Sequence, residues 1–521
     1  MAAEEIELKL GLSPAGMARL SRALARETGT LPAARRLRTL YFDSSDRRLA
    51  AAGIALRLRR TDAGWVQSLK AGRAAMGGFQ HSREDERPVV RPRPSPAAIA
   101  DPRLAGEVAA ALEGAPLRPW FETRVRRRTC LVQAEGGVVE VALDEGQIRA
   151  GAARAPLCEA EFELKGGSPE ALFALAGRLV EGLDVRLALP NKAERGAALA
   201  AGAPWQVAAR GSRPPAVAPG APAGELVDRL LAGLAAAIAA NLDLVMAADS
   251  PEGPHQLRIA LRRLRALLWL YRPLVDRQLA RDLAAGARDL GRIVAPLRDA
   301  DVLAGDLLVP RAGPDLARAL AAWREAVRTQ ARAALAAAGA GCFGVRLLGL
   351  AALGGWQRAG HRERLVTPHA AIARPALERL WRRLHRQGRA FILLSAEERH
   401  EFRKNVKKFR YAMEITEETE EAGPFLKALK QVQEDLGGLN DLDVLDRFRP
   451  DLGQARLDDE LEALRESLTR GRQGRVDQLT GRACRHVAAL LALPLPLPPA
   501  GTRTISAAGR RLLRAPGERS R

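Results

Sequence analysis

"EIELK" at residues 5–9 and "EFELK" at residues 161–165 are almost the same pentapeptide, placed at the two ends of one long run of short alternating segments. In each, acid, acid and lysine take every second position and apolar side chains fill the gaps. Successive side chains of a strand point to opposite faces. Glu5, Glu7 and Lys9 therefore share one strand face, and Glu161, Glu163 and Lys165 share another. Two distant strands with one charge register predict that the first and last strands of a domain meet, as they do when a sheet closes into a barrel.

Those acids sit in a basic chain. Its 521 residues carry 82 Lys+Arg against 61 Asp+Glu, a net charge of +21. The length predicts two or three domains, and the charge predicts a polyanionic partner: nucleic acid, an anionic membrane or polyphosphate. Aromatic residues make up 4% of the chain and do not interleave with the basic ones, which counts against nucleic acid. Cys130, Cys158, Cys342 and Cys484 are far apart and form no CxxC or finger spacing, so they read as reduced, buried thiols. The acidic N-terminus has no secretory h-region. The most apolar run, 230–248, is broken by Asn241 and Asp243 and reads as a buried amphipathic helix rather than a span. These features predict a cytoplasmic protein with no membrane partner; they say nothing of oligomeric state.

Texture changes along the chain. Residues 1–203 read as strands with period-two alternation and two helices opened by Ser-Pro caps, at 13–27 and 168–183. Residues 204–224 are a Pro/Gly/Ala-rich linker. Residues 225–495 read as helical, and 496–521 as a basic, disordered tail. "HQLRIALRRLR" (255–265) returns as "HEFRKNVKKFR" (400–410), and each is followed by an acidic motif, "LRDADVL" (297–303) and "LNDLDVL" (439–445). The helical half is thus expected to hold two related bundles, about 225–365 and 370–495.

Charged side chains fall on one face of several further strands. "ALRLRR" places Arg57 and Arg59, "WVQSLK" Ser68 and Lys70, "REDERPV" Glu84 and Glu86, and "VEVALD" Glu140 and Asp144. Any single strand of this kind is an ordinary solvated face. Several with paired acids and segregated bases are better matched to a polyanion held by divalent metal on one wall and by guanidinium and ammonium groups on the other. No Ser/His/Asp or Cys/His arrangement is visible, and His81 reads as a loop residue.

With "EIELKL", the ordered blocks "TLYFDSSDRRL", "GIALRLRR", "SLK", "EDERPV", "VEVALDEGQI", "EAEFELKGG" and "NKAERGAAL" resemble the CYTH superfamily over residues 4–200. That superfamily includes class IV adenylyl cyclases, thiamine triphosphatases and inorganic triphosphatases. The resemblance implies an α+β domain with an eight-stranded antiparallel barrel around a triphosphate tunnel. Its metal, Mg²⁺ or Mn²⁺, would be held by Glu5, Glu7, Asp144, Glu161 and Glu163, with Glu84 and Glu86 nearby. The phosphates would meet Lys9, Arg57, Arg59, Lys70 and Lys192, joined by Arg127 or Arg126. Among these, Glu5, Glu7, Lys9, Arg57, Arg59, Lys70 and Lys192 are the expected catalytic set. Two positions depart from the family pattern: Asn191 stands where many relatives have Ser, and Ser82 where an arginine is frequent.

On a helix, His255, Arg258, Arg262 and Arg265 form one stripe, with Arg263 on the neighbouring face. His400, Arg403, Lys407 and Arg410 repeat the offsets, with Lys408 in the place of Arg263. H-x-x-R lacks the paired ligands zinc needs, and crowded guanidiniums repel a cation, so an extended polyanion fits the stripes better. Over about 225–490 the pattern resembles the CHAD domain, an all-α domain of two four-helix halves associated with inorganic polyphosphate. All ten side chains are then expected polyphosphate contacts. The expected function is metal-dependent hydrolysis of inorganic triphosphate, with polyphosphate as second partner and association with polyphosphate granules as one outcome. The alternatives are a non-catalytic polyphosphate scaffold and a nucleotide or thiamine triphosphatase or adenylyl cyclase.

Overall fold

The computed structural model describes residues 3–497, except 62–63, 77, 188–189, 204, 216, 219, 417–421, 449 and 451. From residue 498 onward the expected basic tail lies outside the described residues.

Among the described residues, nine strands occupy the first part of the chain: β1 Ala3–Leu12, β2 Arg35–Asp43, β3 Ile54–Thr61, β4 Gly64–Met76, β5 Phe79–Val89, β6 Arg118–Ala134, β7 Gly137–Ala150, β8 Ala153–Gly167 and the short β9 Val185–Arg186. Their order is β5-β4-β3-β2-β6-β7-β8-β1-β9, and β1 also pairs with β5. The first eight strands of that order therefore form a closed antiparallel barrel, with β9 added beside the end of β1. Closure runs through the echoed segments, for Lys9 is the Cα partner of Glu161. Eight strands enclose an interior just wide enough for side chains or one small ligand.

Apolar residues seal the barrel on two sides. On part of the outer surface, Leu56, Leu58 and Leu69 pack with Leu104, Val108 and Leu112 of the helix Pro102–Leu112. One end of the interior is filled by Tyr41, Phe121, Val125, Ile148 and Leu157, with Leu199 of the helix Lys192–Ala200. Gly196 permits this plug: a Cβ there would stand 2.0 Å from the Phe121 ring. Both Ser-Pro signals precede helices: Ser13 Oγ accepts from the Gly16 amide at 3.0 Å ahead of the helix Pro14–Thr28, whereas Ser168 stands ahead of Pro169–Leu179 without a side-chain cap. His81 differs from expectation: it lies on β5, not in a loop.

Backbone proximity divides the chain into two compact units. The first is Met1–Arg210 with Ala235–Gly253 and Ala336–Leu353. Three glycines on the helix Ala340–Leu353 explain how the last segment joins it. Cβ atoms at Gly341, Gly344 and Gly349 would lie 2.6, 2.1 and 2.8 Å from Val185, Leu187 and Phe173. Asp243 also accepts the Leu187 amide at 2.7 Å.

The second unit comprises Gly211–Leu234, Pro254–Leu335 and the described residues from Gly354 onward. It is helical. The helices Ala223–Ala247 and His369–Arg389 begin side by side through a Pro222–Pro368 bridge, with the Ala223 amide on the Thr367 carbonyl and the His369 amide on that of Ala221. The basic stripes lie on the helices Glu252–Leu270 and Ala396–Thr416. The acidic motifs end the helix Arg277–Ala300, which continues as a π-helical turn over Asp301–Leu308, and the helix Gly423–Arg447. By length and composition Ala223–Ala247 could cross a membrane, but 78% of its apolar window is buried.

Candidate active site

Every tunnel residue expected from the sequence lies on β1, β3, β4, β5, β6, β7 or β8 or at the start of the plug helix, and the register brings nearly all of them to one cavity of about 510 Å³. Glu5, Glu7, Lys9, Arg57, Arg59, Lys70, Glu84, Glu86, Arg127, Glu161, Glu163 and Lys192 line it. Asp144 stands behind the wall, fully buried.

The alternation of β6 decides between the two candidate arginines. Arg127 shares the inward face of Thr123 and Val125, whereas Arg126 is exposed on the outside. Arg126 is therefore corrected to a surface residue. Tyr41, Gln80, His81, Glu140 and Lys165 also line the cavity and were not in the expected set.

Ion pairs organise the interior into three groups. At one, Arg127 grips Asp144 with two hydrogen bonds of 2.7 and 2.5 Å and reaches Glu161 at 2.6 Å. Lys192 lies 2.8 Å from Asp144 and 2.7 Å from Glu161, and pairs closely with Glu159. Arg195 closes on Glu159 from behind. Burial opposes the charge of Lys192, but Asp144, Glu159 and Glu161 outweigh it and hold its pKa far above the ordinary value. Glu159 and Arg195 were missed as members of this group. The signal was present: Glu159 extends the Glu161, Glu163 row by one more alternate position, and Arg195 follows Lys192 by three in a helix.

At the second group, Arg57 donates to Ser68 Oγ and Glu84 at 3.0 Å each, and Ser68 donates to Glu84 at 2.7 Å. Arg59 has no such partner. Its Nε is buried without a hydrogen bond. Repulsion from Arg57, then burial and Arg127, push its pKa down to about 10. An under-neutralised guanidinium facing a cavity is a ready donor to anion oxygens.

The third group is acidic. Glu7 and Glu163 are Cα partners, as are Glu163 and Glu140, so three carboxylates stand abreast on β1, β8 and β7. Lys9 holds Glu7 at 2.6 Å, Lys70 pairs closely with Glu5, and Lys165 holds Glu163 at 2.5 Å. Burial, and then the charges of Glu5 and Glu140, push the Glu163 carboxyl up despite Lys165. Crowded carboxylates with too little positive charge among them are a hard-oxygen donor set that suits Mg²⁺ or Mn²⁺. Asp144, Glu159 and Glu161 also bring ligand atoms within 4.8 Å of one another. Those three already carry Arg127, Lys192 and Arg195, while Glu5, Glu7 and Glu163 each pair with a lysine and Glu140 lies 3.9 Å from Lys165.

Both departures from the family pattern have local explanations. Asn191 accepts the Glu194 amide at 2.8 Å while Glu194 accepts that of Asn191 at 2.9 Å, a capping box in which Asn serves as well as Ser. Ser82 is buried 3.4 Å from Glu5, and Arg83 turns outward to Glu107 at 2.8 Å.

In the helical unit the two stripes converge only in part. Arg258, Arg262, Arg403 and Lys407 act on one another, with Asp299 and Asp441 of the acidic motifs beside them. Arg403 donates to Asn440 at 2.9 Å, and Arg258 Nη1 is buried without a hydrogen bond. Burial, then Arg403, Arg262 and Arg258, lower the Lys407 pKa to about 7. Arg263 and Arg410 are instead claimed by Glu414 at 2.7 and 2.8 Å. Lys408 lies 3.8 Å over Trp269, its pKa pushed down to about 8 by burial and then Arg265, Arg272 and Arg383. Arg265 and His400 are exposed and His255 is half-buried.

Residues 3–196 match the CYTH domain and residues 229–450 the CHAD domain. Over 194 residues the chain is 32% identical to an inorganic triphosphatase of Haemophilus influenzae, an alignment covering 37% of this chain and 54% of that protein. The chain thus spans about half the length of the curated relative it matches. A CHAD domain from the plant Ricinus communis aligns at a TM-score of 0.44 and 25% identity, over 55% of this chain and 98% of that one. A Hippeastrum protein described as having a dominant triphosphatase activity aligns at a TM-score of 0.27 and 24% identity, over 37% of this chain and 95% of that one.

Proposed function

From a chain that joins a CYTH domain to a CHAD domain, we propose an inorganic triphosphatase that uses Mg²⁺ or Mn²⁺ in its barrel and binds polyphosphate through its helical unit. The observation that carries the reading is the division of the cavity wall. Abreast carboxylates from β1, β7 and β8 stand across from the under-neutralised Arg59, which lies beside the ion-paired Arg57. The triphosphatase relative supports the choice of reaction.

Glu5, Glu7, Glu140 and Glu163 would hold the metal, which supplies Lewis-acid polarisation of phosphoryl oxygens. Arg59, with its free Nε, takes terminal phosphate oxygens, and Arg57 is fixed beside it by Ser68 and Glu84. Lys9, Lys70, Arg127 and Lys192 exchange part of their carboxylate contacts for phosphate oxygens. Water attacks the terminal phosphorus, a P–O–P bond breaks, and pyrophosphate and phosphate leave with their charge offset by these cations. The chain contributes position and electrostatics rather than a covalent nucleophile.

The helical unit supports a polyphosphate reading through Arg258, Arg262, Arg403 and Lys407, whose mutual repulsion an extended polyanion would relieve. The four cysteines are unpaired, which supports a reducing compartment such as the cytoplasm.

Purified full-length protein is expected to release phosphate from tripolyphosphate with Mg²⁺ or Mn²⁺, faster than from thiamine triphosphate or ATP. Binding of tripolyphosphate without turnover in either metal would instead favour the non-catalytic scaffold, and cyclic AMP from ATP would favour a cyclase.

A further inference from the structure

Outside the tunnel the barrel carries a second concentration of charge that the proposed chemistry does not use. Neighbouring strands set arginines directly opposite one another. Arg38 of β2 is the Cα partner of Arg60 of β3 and of Arg124 of β6, and Arg36 is that of Arg126. Farther along, Arg149 of β7 faces Arg154 of β8. On β2 and β6 these side chains alternate with the buried Thr39, Thr123 and Val125, so they point away from the cavity. Arg36, Arg126 and Arg154 are exposed and border an open groove of about 800 Å³ on the outer surface.

Like charges directly opposite one another destabilise a sheet. Four such juxtapositions on adjoining strands work against the fold. Two acids offset part of this: Glu145 lines the same groove as the Cα partner of Arg126, and Glu122 is shared among three of the arginines. Glu122 accepts from the Nε atoms of Arg38 and Arg124 at 2.7 Å each and lies 3.5 Å from Arg149. Even so, burial and then Arg124 and Arg154 hold the Arg149 pKa below its ordinary value, a sign of uncancelled positive potential. A multivalent anion lying across the strands would turn that repulsion into binding.

We propose that the outer face of β2, β6, β7 and β8 is a second polyanion-binding surface, separate from both the tunnel and the helical cluster, whose occupant is linear inorganic polyphosphate. Polyphosphate is favoured over single-stranded nucleic acid because the face offers guanidiniums without base-stacking platforms. Trp120, on the same strand face, is already covered by the Arg47 guanidinium 4.2 Å from its ring centroid. Such a surface would keep long chains beside a barrel that handles short ones.

The test uses the full chain in a background carrying Arg258→Gln and Arg262→Gln, so that the helical cluster does not mask the barrel. Arg36, Arg38, Arg124 and Arg126 are replaced together by Gln, and in a parallel variant by Lys. Binding of end-labelled long-chain polyphosphate is followed by anisotropy at stepped salt. The Gln variant is expected to bind about 10-fold more weakly or worse and to show a shallower salt dependence, while the Lys variant keeps most of the affinity. Tripolyphosphate turnover and melting temperature should not fall, since none of the four lines the cavity. If the Gln variant does not fold, the exposed pair Arg36→Gln/Arg126→Gln carries the same comparison with a smaller expected loss. Unchanged polyphosphate affinity overturns the proposal, and so does tighter binding of a single-stranded RNA of equal charge through the same four residues. Failure of the tunnel reading would show separately as absent turnover, and failure of the helical reading as unchanged binding on passing from wild type to the background.

Discussion

Arg57 and Arg59 stand two residues apart on one face of β3, yet Arg57 is ion-paired to Glu84 at 3.0 Å while Arg59 keeps a buried Nε with no hydrogen bond. If the cavity binds triphosphate, the difference separates a role in folding from a role in binding. Arg57→Gln strands Glu84 and Ser68 and should reduce both melting temperature and activity. Arg59→Gln removes a guanidinium that repels Arg57, so its melting temperature should hold or rise. Its phosphate release should still fall on the order of 10²-fold, the usual effect of losing one preorganised donor. Thermal melts and phosphate release on both variants make the comparison, and an Arg59 variant with full activity would remove it from the substrate site.

Glu7 and Glu163 meet as Cα partners at the seam that closes the barrel. If that seam holds the metal, Glu7→Gln and Glu163→Gln should each lower phosphate release by on the order of 10²-fold or more. Each should also weaken Mn²⁺ binding followed by calorimetry in the absence of substrate. Glu163→Gln removes a carboxylate that burial already disfavours, so it should fold at least as well as the parent. Undiminished Mn²⁺ binding in both would move the metal to Asp144, Glu159 and Glu161.

Glu159 is fully buried between Lys192 and Arg195. Breaking such a group by removing one partner leaves an uncompensated charge, at a cost of about 3–5 kcal/mol. Arg195→Gln should show that loss in denaturant unfolding. The double variant Arg195→Gln/Glu159→Gln should recover part of it, because the stranded carboxylate is gone. Additive losses would mean that the two side chains do not act as a pair.

How much of this was legible in the sequence depends on whether a feature is local. The charged rows of β1, β3, β4, β5 and β8 follow from period-two alternation, so the cavity set emerged with its neighbours. The choice between Arg126 and Arg127 needed the phase of β6, which a run of consecutive arginines hides. His81 was misplaced because "MGGFQH" reads as an extended turn, whereas β5 begins at Phe79. Nothing local announces that Ala235–Gly253 and Ala336–Leu353 group with the barrel segments. That grouping rests on glycines at 341, 344 and 349 meeting Val185, Leu187 and Phe173, side chains far away in sequence. The helical stripes were visible as offsets, but only the packing reveals that Glu414 takes Arg263 and Arg410 while Arg258, Arg262, Arg403 and Lys407 form a cluster.

If the helical cluster binds polyphosphate, Lys407 should make that binding pH-dependent. Burial, then Arg403, Arg262 and Arg258, lower its pKa to about 7, and Asp441 offsets this only in part. The ammonium is therefore present below that pH and is lost as pH rises through it. A polyanion binds the charged form better, so binding raises the pKa and takes up a proton when the pH is above about 7. Affinity for long-chain polyphosphate should weaken as pH is raised across that range, by up to about tenfold per unit once Lys407 is neutral in the free protein. Calorimetry in two buffers of different ionisation enthalpy would detect the proton uptake. Lys407→Arg fixes the charge and should flatten the pH profile while keeping affinity at the acidic end. If the arginine variant shows the same pH profile and the same proton uptake as the parent, the titrating group is not Lys407.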